Sequence, residues 1–458
     1  MSDADLHHGP RPADEPLVKG QRRAPEITGQ ISSIVLTGRL PRRFWWGFAF
    51  FAALALMFLW SISYLVTVGV GTYGINIPVA WGTMIANVVW WIGIGHAGTL
   101  ISAVLLLMRQ PWRASINRFA EAMTLFAVAM AGLFPILHLG RPWFFYWLMP
   151  LPTTHMDWPQ WRSPLVWDFA AIATYGVLSM IFWYMGLIPD LAVLRDRAKS
   201  RGKQVVYGIF ALGWRGSARH WQHHQAAYVA LAALATPLVV SVHSVVSLDF
   251  TVAIVPGYHS TILPPYFVAG ALYSGFAMVL TIAVPLRHYF RLGDVITPRH
   301  LDLGAKVMLA SGMVVAYAYV NEIFFVWYSG EDAHRTMLWE ARMTGPYAGV
   351  YWSTLALNTG ALPLLFMRRV RRSPLTLWIV AVLINVGMWL ERYMITVSSL
   401  ARGYLPSTWR SQEMLWMDFT MLFGSIGMFF ALIFLFIRIL PALSIFEVSE
   451  RAEETRNS

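Results

Sequence analysis

The residues of this sequence that could do chemistry are ionisable side chains lying within, or at the ends of, long apolar runs. The acids, bases and cations concerned are His96, Glu121, His138, Asp168, His243, Asp249, Glu322, Glu391, Arg392 and Asp418. A charge at the centre of a bilayer costs roughly 2.5–3.5 kcal/mol even on permissive insertion scales, so such groups are candidates for function wherever an apolar run crosses a membrane. What they do depends on the elements that carry them.

The chain has the composition of an integral membrane protein. Its 458 residues are 57% hydrophobic, 15% aromatic and 13% charged, which excludes a disordered chain, a collagen-like rod and a nucleic-acid-binding module. Ten runs are long enough to cross ~30 Å of hydrocarbon; they lie near 44–70, 81–108, 118–137, 164–187, 226–247, 266–285, 305–328, 348–367, 374–398 and 415–440. The sequence therefore predicts an all-α integral membrane protein with about ten transmembrane helices.

The positions of the positively charged residues indicate the membrane topology. The 35 Lys and Arg residues concentrate in alternate loops, and the positive-inside rule places both termini in the cytoplasm. The predicted organisation is a cytoplasmic segment 1–43 without a signal peptide, a polytopic membrane domain 44–440 and a cytoplasmic tail 441–458. We expect the aromatic loop 138–163 to lie along the outer surface as a belt or a lid, and the basic loop 188–225 to rest on anionic headgroups.

Counting ~1.5 Å per residue from the helix ends puts most ionisable groups in the outer half of the membrane. His138 ends the third run, Asp168 lies one turn into the fourth and Asp249 closes the fifth. Arg392 lies about two turns inside the ninth run. We expect these side chains, which come from separate helices, to share one polar site in which Arg392 pairs with Asp168, Asp249 or Glu391.

Two further groups lie deeper in the membrane. His96 is ~22 Å from the outer surface and isolated in depth, and Glu121 is near the inner end of the third run. Together with His243, Glu322 and Glu391, they could extend a proton route towards the cytoplasm. They could equally be packed polar side chains, and the sequence leaves both interpretations open.

Several kinds of site are excluded or disfavoured. The chain has no cysteine, so an iron–sulfur cluster, a thiolate metal site or a disulfide would have to lie on a partner. The segment Gly93–Gly98 has the spacing of a dinucleotide fingerprint, but it lies within an apolar run, where close helix packing explains it better. A haem would need two facing histidines at one depth, and the acidic loop 329–333 has too few carboxylates for calcium.

A site with histidine, carboxylates and arginine just beneath the outer surface suits a lipophilic carrier of two electrons and two protons, such as a quinol. Histidine would accept a hydrogen bond from one hydroxyl group, a carboxylate would take the proton, and the electrons would leave to a partner. Aromatic and apolar walls would hold the ring. A secondary transporter that binds a polar substrate or an ion at a similar cluster remains an alternative on these grounds alone.

Five stretches carry a resemblance to a known family. They are Gly95–Trp143 with its GHAG and HLGRPW elements, Pro164–Phe169 (PLVWDF), Ser247–Phe250 (SLDF), Pro264–Leu280 and Glu391–Ile395 (ERYMI). These stretches resemble the NrfD/PsrC family of quinone-interacting membrane subunits. With about ten spans and an N-terminal segment of the EPLVKG…PEITGQI type, the chain is most similar to the larger such subunit, ActC, of bacterial alternative complex III.

The resemblance implies a fold, a substrate and partners. The fold would be two four-helix bundles, about 81–248 and 266–398, with flanking helices in the bacterial inner membrane. The substrate would be menaquinol or ubiquinol, oxidised near the periplasmic face at a site that includes His138, Asp168, Asp249 and Arg392, without haem or an iron–sulfur cluster in this chain. His138 and Asp168 would be the catalytic pair.

The implied partners are a periplasmic iron–sulfur subunit, a multihaem c-type cytochrome, a second NrfD-like membrane subunit and lipid, with no nucleic acid. The complex would act as a quinol:electron acceptor oxidoreductase, and this subunit would not be active alone. Two related identities remain open: the second NrfD-like subunit of the same complex, and a membrane anchor of polysulfide- or thiosulfate-reductase type.

Overall fold

The computed structural model describes residues 17–18, 23–37, 40–149 and 161–457. Part of the predicted N-terminal segment 1–43, including most of the EPLVKG stretch, lies outside these residues, as does the middle of the aromatic loop 138–163. Within the described ranges the chain is helical and contains no strand. The predicted all-α fold class is confirmed.

The described residues form sixteen α-helices joined by short turns. The first eight are α1 (Ala24–Leu36), α2 (Arg42–Val68), α3 (Gly82–Leu107), α4 (Asn117–His138), α5 (Pro164–Arg197), α6 (Arg201–Phe210), α7 (Ala218–Thr251) and α8 (Leu263–Tyr289). The other eight are α9 (Pro298–Ser329), α10 (Asp332–Arg335), α11 (Ala348–Phe366), α12 (Arg368–Arg372), α13 (Pro374–Tyr393), α14 (Ser399–Ala401), α15 (Trp416–Ile439) and α16 (Ile445–Asn457). Two π-helical segments, Thr336–Met343 and Met394–Ser398, adjoin α10 and α13.

Nine helices in the described part of the chain are long and apolar enough to cross a membrane. They are α2, α3, α4, α5, α7, α8, α9, the continuous stretch from α13 to α14, and α15. The predicted run 348–367 is also helical, as α11, but it contains polar residues such as Thr354 and Asn358 and is not among these nine. Its 19 residues extend about 28 Å, close to the thickness of the hydrocarbon core.

The starts of several long helices follow from local sequence. Pro164, Pro298 and Pro374 occupy the first helical position, where a missing N–H removes no hydrogen bond and the fixed φ suits a helix. The predicted start of α5 at Pro164 is confirmed, although the Ser163 side chain makes no capping hydrogen bond. At α7 the Ser217 hydroxyl does cap the helix, because it accepts a hydrogen bond from the backbone N–H of His220 at 3.3 Å.

Helix α3 lies at the centre of the molecule and is buried along most of its length. It packs against α4, α7, α8 and α13, and two glycines allow its closest contacts. A Cβ atom at Gly98 would lie 2.0 Å from the carbonyl oxygen of Ala120 on α4, and one at Gly275 of α8 would lie 2.3 Å from the Cβ of Ala97. The Gly93–Gly98 segment lies inside this helix with no strand before it, as expected for a helix-packing motif.

The other long helices surround α3. Helices α4 and α7 pack beside it on one side, with α5 against both of them. On the other side α8, α9, α11 and α13 pack together, and α2 and α15 are paired next to α4. The boundaries of the two predicted bundles, about 81–248 and 266–398, stay a prediction.

The alternating helices give the molecule two opposite faces. The upper face is the side where α2, α4, α7 and α9 end, and its turns contact one another, for example through the hydrogen bond from Asn76 Nδ2 to the carbonyl oxygen of Ser411 at 3.1 Å. The lower face is the opposite side, where α1 and α16 pack together. There Thr28 of α1 and Ser449 of α16 are joined by their hydroxyl groups at 3.1 Å.

The lower face differs from the predicted loop at 188–225. Helix α5 continues to Arg197, α6 follows, and α7 already begins at Ala218, so most of this region is helical. The prediction of a loop was wrong because apolar residues recur after the first acidic position, Asp190, and extend the helix. The predicted tail 441–458 likewise contains a helix, α16, which packs against the bundle.

Candidate functional site

Two aspartates meet at the upper face. Asp168 lies one turn into α5 and Asp249 lies two residues before the end of α7, and the packing of these two helices brings their carboxyl groups within hydrogen-bonding distance of each other. In each residue the Oδ1 atom is buried and has no hydrogen-bond partner among the described residues. The site therefore presents a pair of carboxyl groups with unused acceptor positions, and both residues remain partly exposed.

His138 is the last residue of α4, in the turn that follows Pro135, and its side chain is partly buried. Within the described part of the chain, no hydrogen bond joins it to either aspartate or to Arg392. The 3-10 helix Pro142–Leu148 follows it with a run of aromatic rings, in which Phe144 and Trp147 lie 4.9 Å apart between centroids. His138 is thus on the same face as the aspartates, and no hydrogen bond within the described part of the chain joins it to them.

Arg392 is buried near the end of α13, just before the π-helical segment Met394–Ser398. Its Cζ atom lies 4.2 Å from the ring centroid of Phe267 and 5.7 Å from that of Tyr266, so cation–π attraction holds the guanidinium. The Nη1 atom is 3.0 Å from Glu391 Oε1, an ion pair whose angles do not make a hydrogen bond. Of the three partners predicted for Arg392, the one it contacts is Glu391.

Glu391 is fully buried and bound by polar side chains from other helices. Its Oε2 atom accepts hydrogen bonds from the hydroxyl of Tyr319 on α9 and, at 3.5 Å, from the amide of Asn358 on α11, while Tyr266 on α8 lies beside the carboxyl group. Sequence reasoning missed Tyr319, Tyr266 and Asn358. The only signal was a polar residue within an apolar run, which for tyrosine is too common to single out.

A pair of histidines lies between the two groups of helices. The rings of His96 on α3 and His243 on α7 are 4.7 Å apart between centroids, and the ring of Tyr175 stacks on His96 at 4.8 Å. His96 Nδ1 bonds the carbonyl oxygen of Ile92, but its Nε2 and both ring nitrogens of His243 have no hydrogen-bond partner among the described residues. His243 also lies 5.9 Å from Phe267, the ring beneath Arg392.

The predicted isolation of His96 is therefore wrong. Counted along the helices, His96 is about 21 Å from the start of α3, whereas His243 is about 12 Å from the end of α7. Because the two rings are in contact, the start of α3 and the end of α7 are offset by about 9 Å along the bundle. A depth counted on the assumption that both helices reach the same surface therefore placed His96 too deep.

Glu322 and Asp418 belong to other contacts of the upper face. Glu322 Oε1 is 2.6 Å from Nη1 of Arg342, a fully buried residue whose other nitrogens donate to Ser398 at 2.8 Å and to Ser399 at 2.9 Å. Asp418 accepts hydrogen bonds from the Thr83 hydroxyl and, at 3.1 and 2.9 Å, from the backbone N–H groups of residues 74 and 415. Asp418 therefore fastens the start of α15, as helix-terminal carboxylates commonly do.

Glu121 lies in a buried ionic network near the lower face. It is 2.9 Å from Arg118 and accepts a hydrogen bond from the Tyr228 hydroxyl at 2.9 Å, while Arg118 also contacts Asp190 at 3.1 Å. Sequence reasoning missed Arg118 and Asp190, since it assigned both to the ends of runs or to loops. The network supports the packed-polar interpretation of Glu121.

A third ion pair extends this network to the C-terminal helix. Arg113 Nη2 is 3.0 Å from the carboxylate of Glu447 on α16. Burial alone would lower the pKa of the Arg113 guanidinium, but the nearby carboxylate of Glu447 raises it above its usual value. The backbone N–H of Ile445 also donates to Asp190 at 3.0 Å, so α16 is tied to the bundle by charge as well as by packing.

Hydrogen bonds and ion pairs join these polar residues in several separate sets. The aspartates contact each other, Arg392 and Glu391 lie with the histidine pair nearby, and Glu121 belongs to the lower network. A single pocket uniting His138, Asp168, Asp249 and Arg392 stays a prediction. Among the described residues, no three His, Asp or Glu side chains are placed to hold a metal ion.

Comparison with known proteins gives two matches. The polysulphide reductase NrfD family matches residues 71–402, which is well over half of the chain. A membrane protein of Halobacterium salinarum, described as a membrane subunit of a putative dimethyl sulfoxide reductase, is 25% identical over 246 residues, which cover 51% of this chain and 52% of that protein. The chain therefore matches about half the length of this curated relative. The extent of the family match shows that this chain is a membrane protein of the NrfD family.

Proposed function

We propose that this chain is the quinol-binding and quinol-oxidising membrane subunit of a respiratory complex, and that it passes electrons to an iron–sulfur partner. The observation that carries the proposal is the contact between the carboxyl groups of Asp168 and Asp249 at the upper face. Oxidation of a quinol releases two electrons and two protons, so the site needs a group that can accept a proton from a bound hydroxyl. Two carboxyl groups in contact repel strongly when both are charged, so the pair holds one proton and one acceptor.

The remaining residues of the proposed site have distinct tasks. The charged member of the aspartate pair accepts the proton of one quinol hydroxyl, and His138 accepts first a hydrogen bond and then the proton from the other. Arg392 supplies positive charge beneath the site and is kept in place by Glu391 and the ring of Phe267. The iron–sulfur cluster of the partner would take the electrons, because the sequence of this chain has no cysteine to hold one.

Two kinds of complex fit this role. The sequence resemblance favours alternative complex III, with a multihaem c-type cytochrome and a second NrfD-like subunit as further partners and menaquinol or ubiquinol as substrate. The name of the matched relative, a membrane subunit of a putative dimethyl sulfoxide reductase, favours a reductase complex in which quinol oxidation supplies the electrons. Subunit identification in the purified complex separates them, since only alternative complex III contains a multihaem cytochrome.

The upper face is periplasmic in this proposal, and the chain lies in the bacterial inner membrane with both termini in the cytoplasm. The lower face carries the arginine-rich segments Arg195–Arg219 and Arg368–Arg372, as the positive-inside rule requires of a cytoplasmic side. A proton route through His243 and His96 is supported by the contact of their rings and by their ring nitrogens without a hydrogen-bond partner among the described residues, whereas Glu391 is held in its ion pair with Arg392. The ion pairs of Glu322 and Glu121 favour structural roles for these two acids instead.

The test is quinol oxidation by the purified complex carrying Asp168→Asn or His138→Ala. We expect either variant to assemble and to oxidise quinol ~100-fold more slowly, as the loss of a general base does. The matched control is Asp332→Asn, which removes an exposed acid of the same face. Wild-type turnover in a well-assembled Asp168→Asn complex would refute the proposal. Flux of a polar substrate through liposomes that contain the chain alone would favour a transporter.

A further inference from the structure

The region between α5 and α7 at the lower face contains an open groove that the quinol site does not use. The groove has a volume of about 310 Å³ and lies beside the turn 211–217 that joins α6 to α7. Most of its lining is apolar, with Met185 and Ile188 of α5 on the inner side and the exposed Leu212 at the rim. Histidines at the same rim, such as the exposed His223, make it resemble the boundary between acyl chains and headgroups.

The length of α5 places this groove at the headgroup level. Helix α5 has 34 residues and extends about 51 Å, whereas the hydrocarbon core of a bilayer is ~30 Å thick. Because Asp168 already lies near the upper boundary of the core, the hydrocarbon ends about twenty residues later, close to Ile188. The residues that follow, together with the start of α7, lie among the headgroups of the lower leaflet.

Helix α6 has the exposed surface of a segment that lies in this layer. Tyr207 fastens its inner side, since the Tyr207 hydroxyl donates to the carbonyl oxygen of Ile439 at 3.0 Å. On the outer side Val206, Ile209 and Phe210 are more than half exposed, and Leu212 just beyond the helix is 67% exposed. Exposed apolar side chains beside arginines and lysines are typical of an amphipathic helix embedded in a membrane surface.

Three histidines, His220, His223 and His224, form the polar side of the groove. The segment that carries them, 215–224, contains no acid, and its two exposed arginines, Arg215 and Arg219, adjoin in sequence the lining residues Trp214 and His220. The backbone N–H of Arg215 donates to Nδ1 of His220 at 3.2 Å, so the proton of the neutral imidazole lies on Nε2, where it can be donated. The nearby acid Asp196 is already bound to Arg195 at 2.7 Å.

We propose that this groove binds one anionic phospholipid of the lower leaflet. Its phosphate would be held by Arg215, Arg219 and the imidazole of His220, and the first part of one acyl chain would lie against Met185 and Ile188. The positive end of α7, which begins at Ala218 beside the groove, adds to the attraction. The site is independent of the quinol site, which lies at the opposite face.

The test measures which phospholipid the purified complex retains. Native mass spectrometry of the complex, titrated with phosphatidylglycerol or with phosphatidylcholine of the same acyl chains, gives the two affinities. We expect the wild type to bind phosphatidylglycerol about tenfold more tightly or better, and the variant R215Q/R219Q/H220Q to lose this preference. The matched control R42Q/R43Q, which removes two exposed arginines elsewhere on the lower face, should keep it.

Two further measurements test whether both the phosphate and the acyl chains contribute to binding. Leu212→Asn retains every charge, and should weaken the binding of both lipids by a similar factor because it removes contact with the acyl chain. sn-Glycerol 3-phosphate should fail to displace the bound lipid, since it has the phosphate without the chains. Equal affinities of the wild type for the two lipids, an unchanged preference in the triple variant, or displacement by glycerol 3-phosphate would overturn the proposal. Quinol oxidation should be unchanged in the triple variant.

Discussion

The contact between Gly270 and Arg392 gives the sharpest test of how the protein holds its buried cation. Helix α8 passes the end of α13 with Gly270 facing the guanidinium group. A Cβ atom at this position would lie 2.5 Å from Arg392 Nη2 and 3.0 Å from Met388 Cε. An ordinary contact between such atoms is about 3.5 Å, so Gly270→Ala must move the guanidinium by about 1 Å.

The displaced guanidinium has little room, which sets the size of the effect. It is held between the ring of Phe267 at 4.2 Å and the carboxylate of Glu391 at 3.0 Å, and the residue is 3% exposed. Adding a methyl group to such a packed interior costs about 1–3 kcal/mol, of which the higher helix propensity of alanine returns up to about 1 kcal/mol. A shift of about 1 Å in a group that positions a substrate lowers turnover by about 100-fold.

The assay compares Gly270→Ala with Gly93→Ala. At Gly93 the nearest atoms to a new Cβ are 3.6 Å away, an ordinary contact, although the residue lies beside His243 in the same interior. We expect Gly93→Ala to keep wild-type turnover, and Gly270→Ala to lose most quinol oxidation while its thermal unfolding changes little. If both variants oxidise quinol equally well at equal yield, the position of Arg392 does not matter for the reaction.

Three further substitutions test the other groups. Asp249→Asn replaces one member of the carboxyl pair with an amide that cannot take a proton, so steady-state quinol oxidation should fall about 100-fold; full activity would show that this pair does not accept the proton. In Arg342→Lys a single ammonium group replaces a guanidinium that contacts a carboxylate and two serine hydroxyls. We expect the free energy of unfolding to fall by about 1–3 kcal/mol, measured by thermal denaturation with Arg335→Lys as the control. Arg118→Met leaves two acids buried without their cation, which costs about 3–5 kcal/mol and should be seen as a lower yield of folded protein; a normal yield would contradict the network.

The sequence predicted the helices well because a membrane allows few alternatives. A chain that crosses hydrocarbon must satisfy its own backbone hydrogen bonds, so long apolar runs become helices whatever their neighbours are. At the lower face the membrane no longer imposes this constraint. The apolar residues between Asp190 and Arg195 extend α5 to the polar turn at 198–200. The positions of the charged residues alone could not show that the helix continues beyond the membrane.

The partners of the ionisable groups were harder to predict than their helices. The sequence shows that Arg392 lies in an apolar run near several acids. That Glu391 is its partner depends on how α8 and α9 pack, because Phe267 and Tyr319, which contact this pair, come from those helices. Likewise, His96 and His243 meet because α3 and α7 end at different levels. Side-chain partners follow from helix offsets and rotations, which the apolar pattern of a single run does not contain.

The nature of each acid's partner separates structural carboxylates from one that can exchange protons. Glu121, Glu322 and Glu391 each face an arginine at 2.6–3.0 Å, so their negative charge is compensated and protonation would leave a buried cation unpaired. Asp168 and Asp249 face each other, and no arginine, lysine or histidine of the described chain forms an ion pair with them. Between them a proton can be gained or lost without breaking an ion pair. A site that must take protons from a bound quinol and release them again needs this property, and of these acids only the aspartate pair has it.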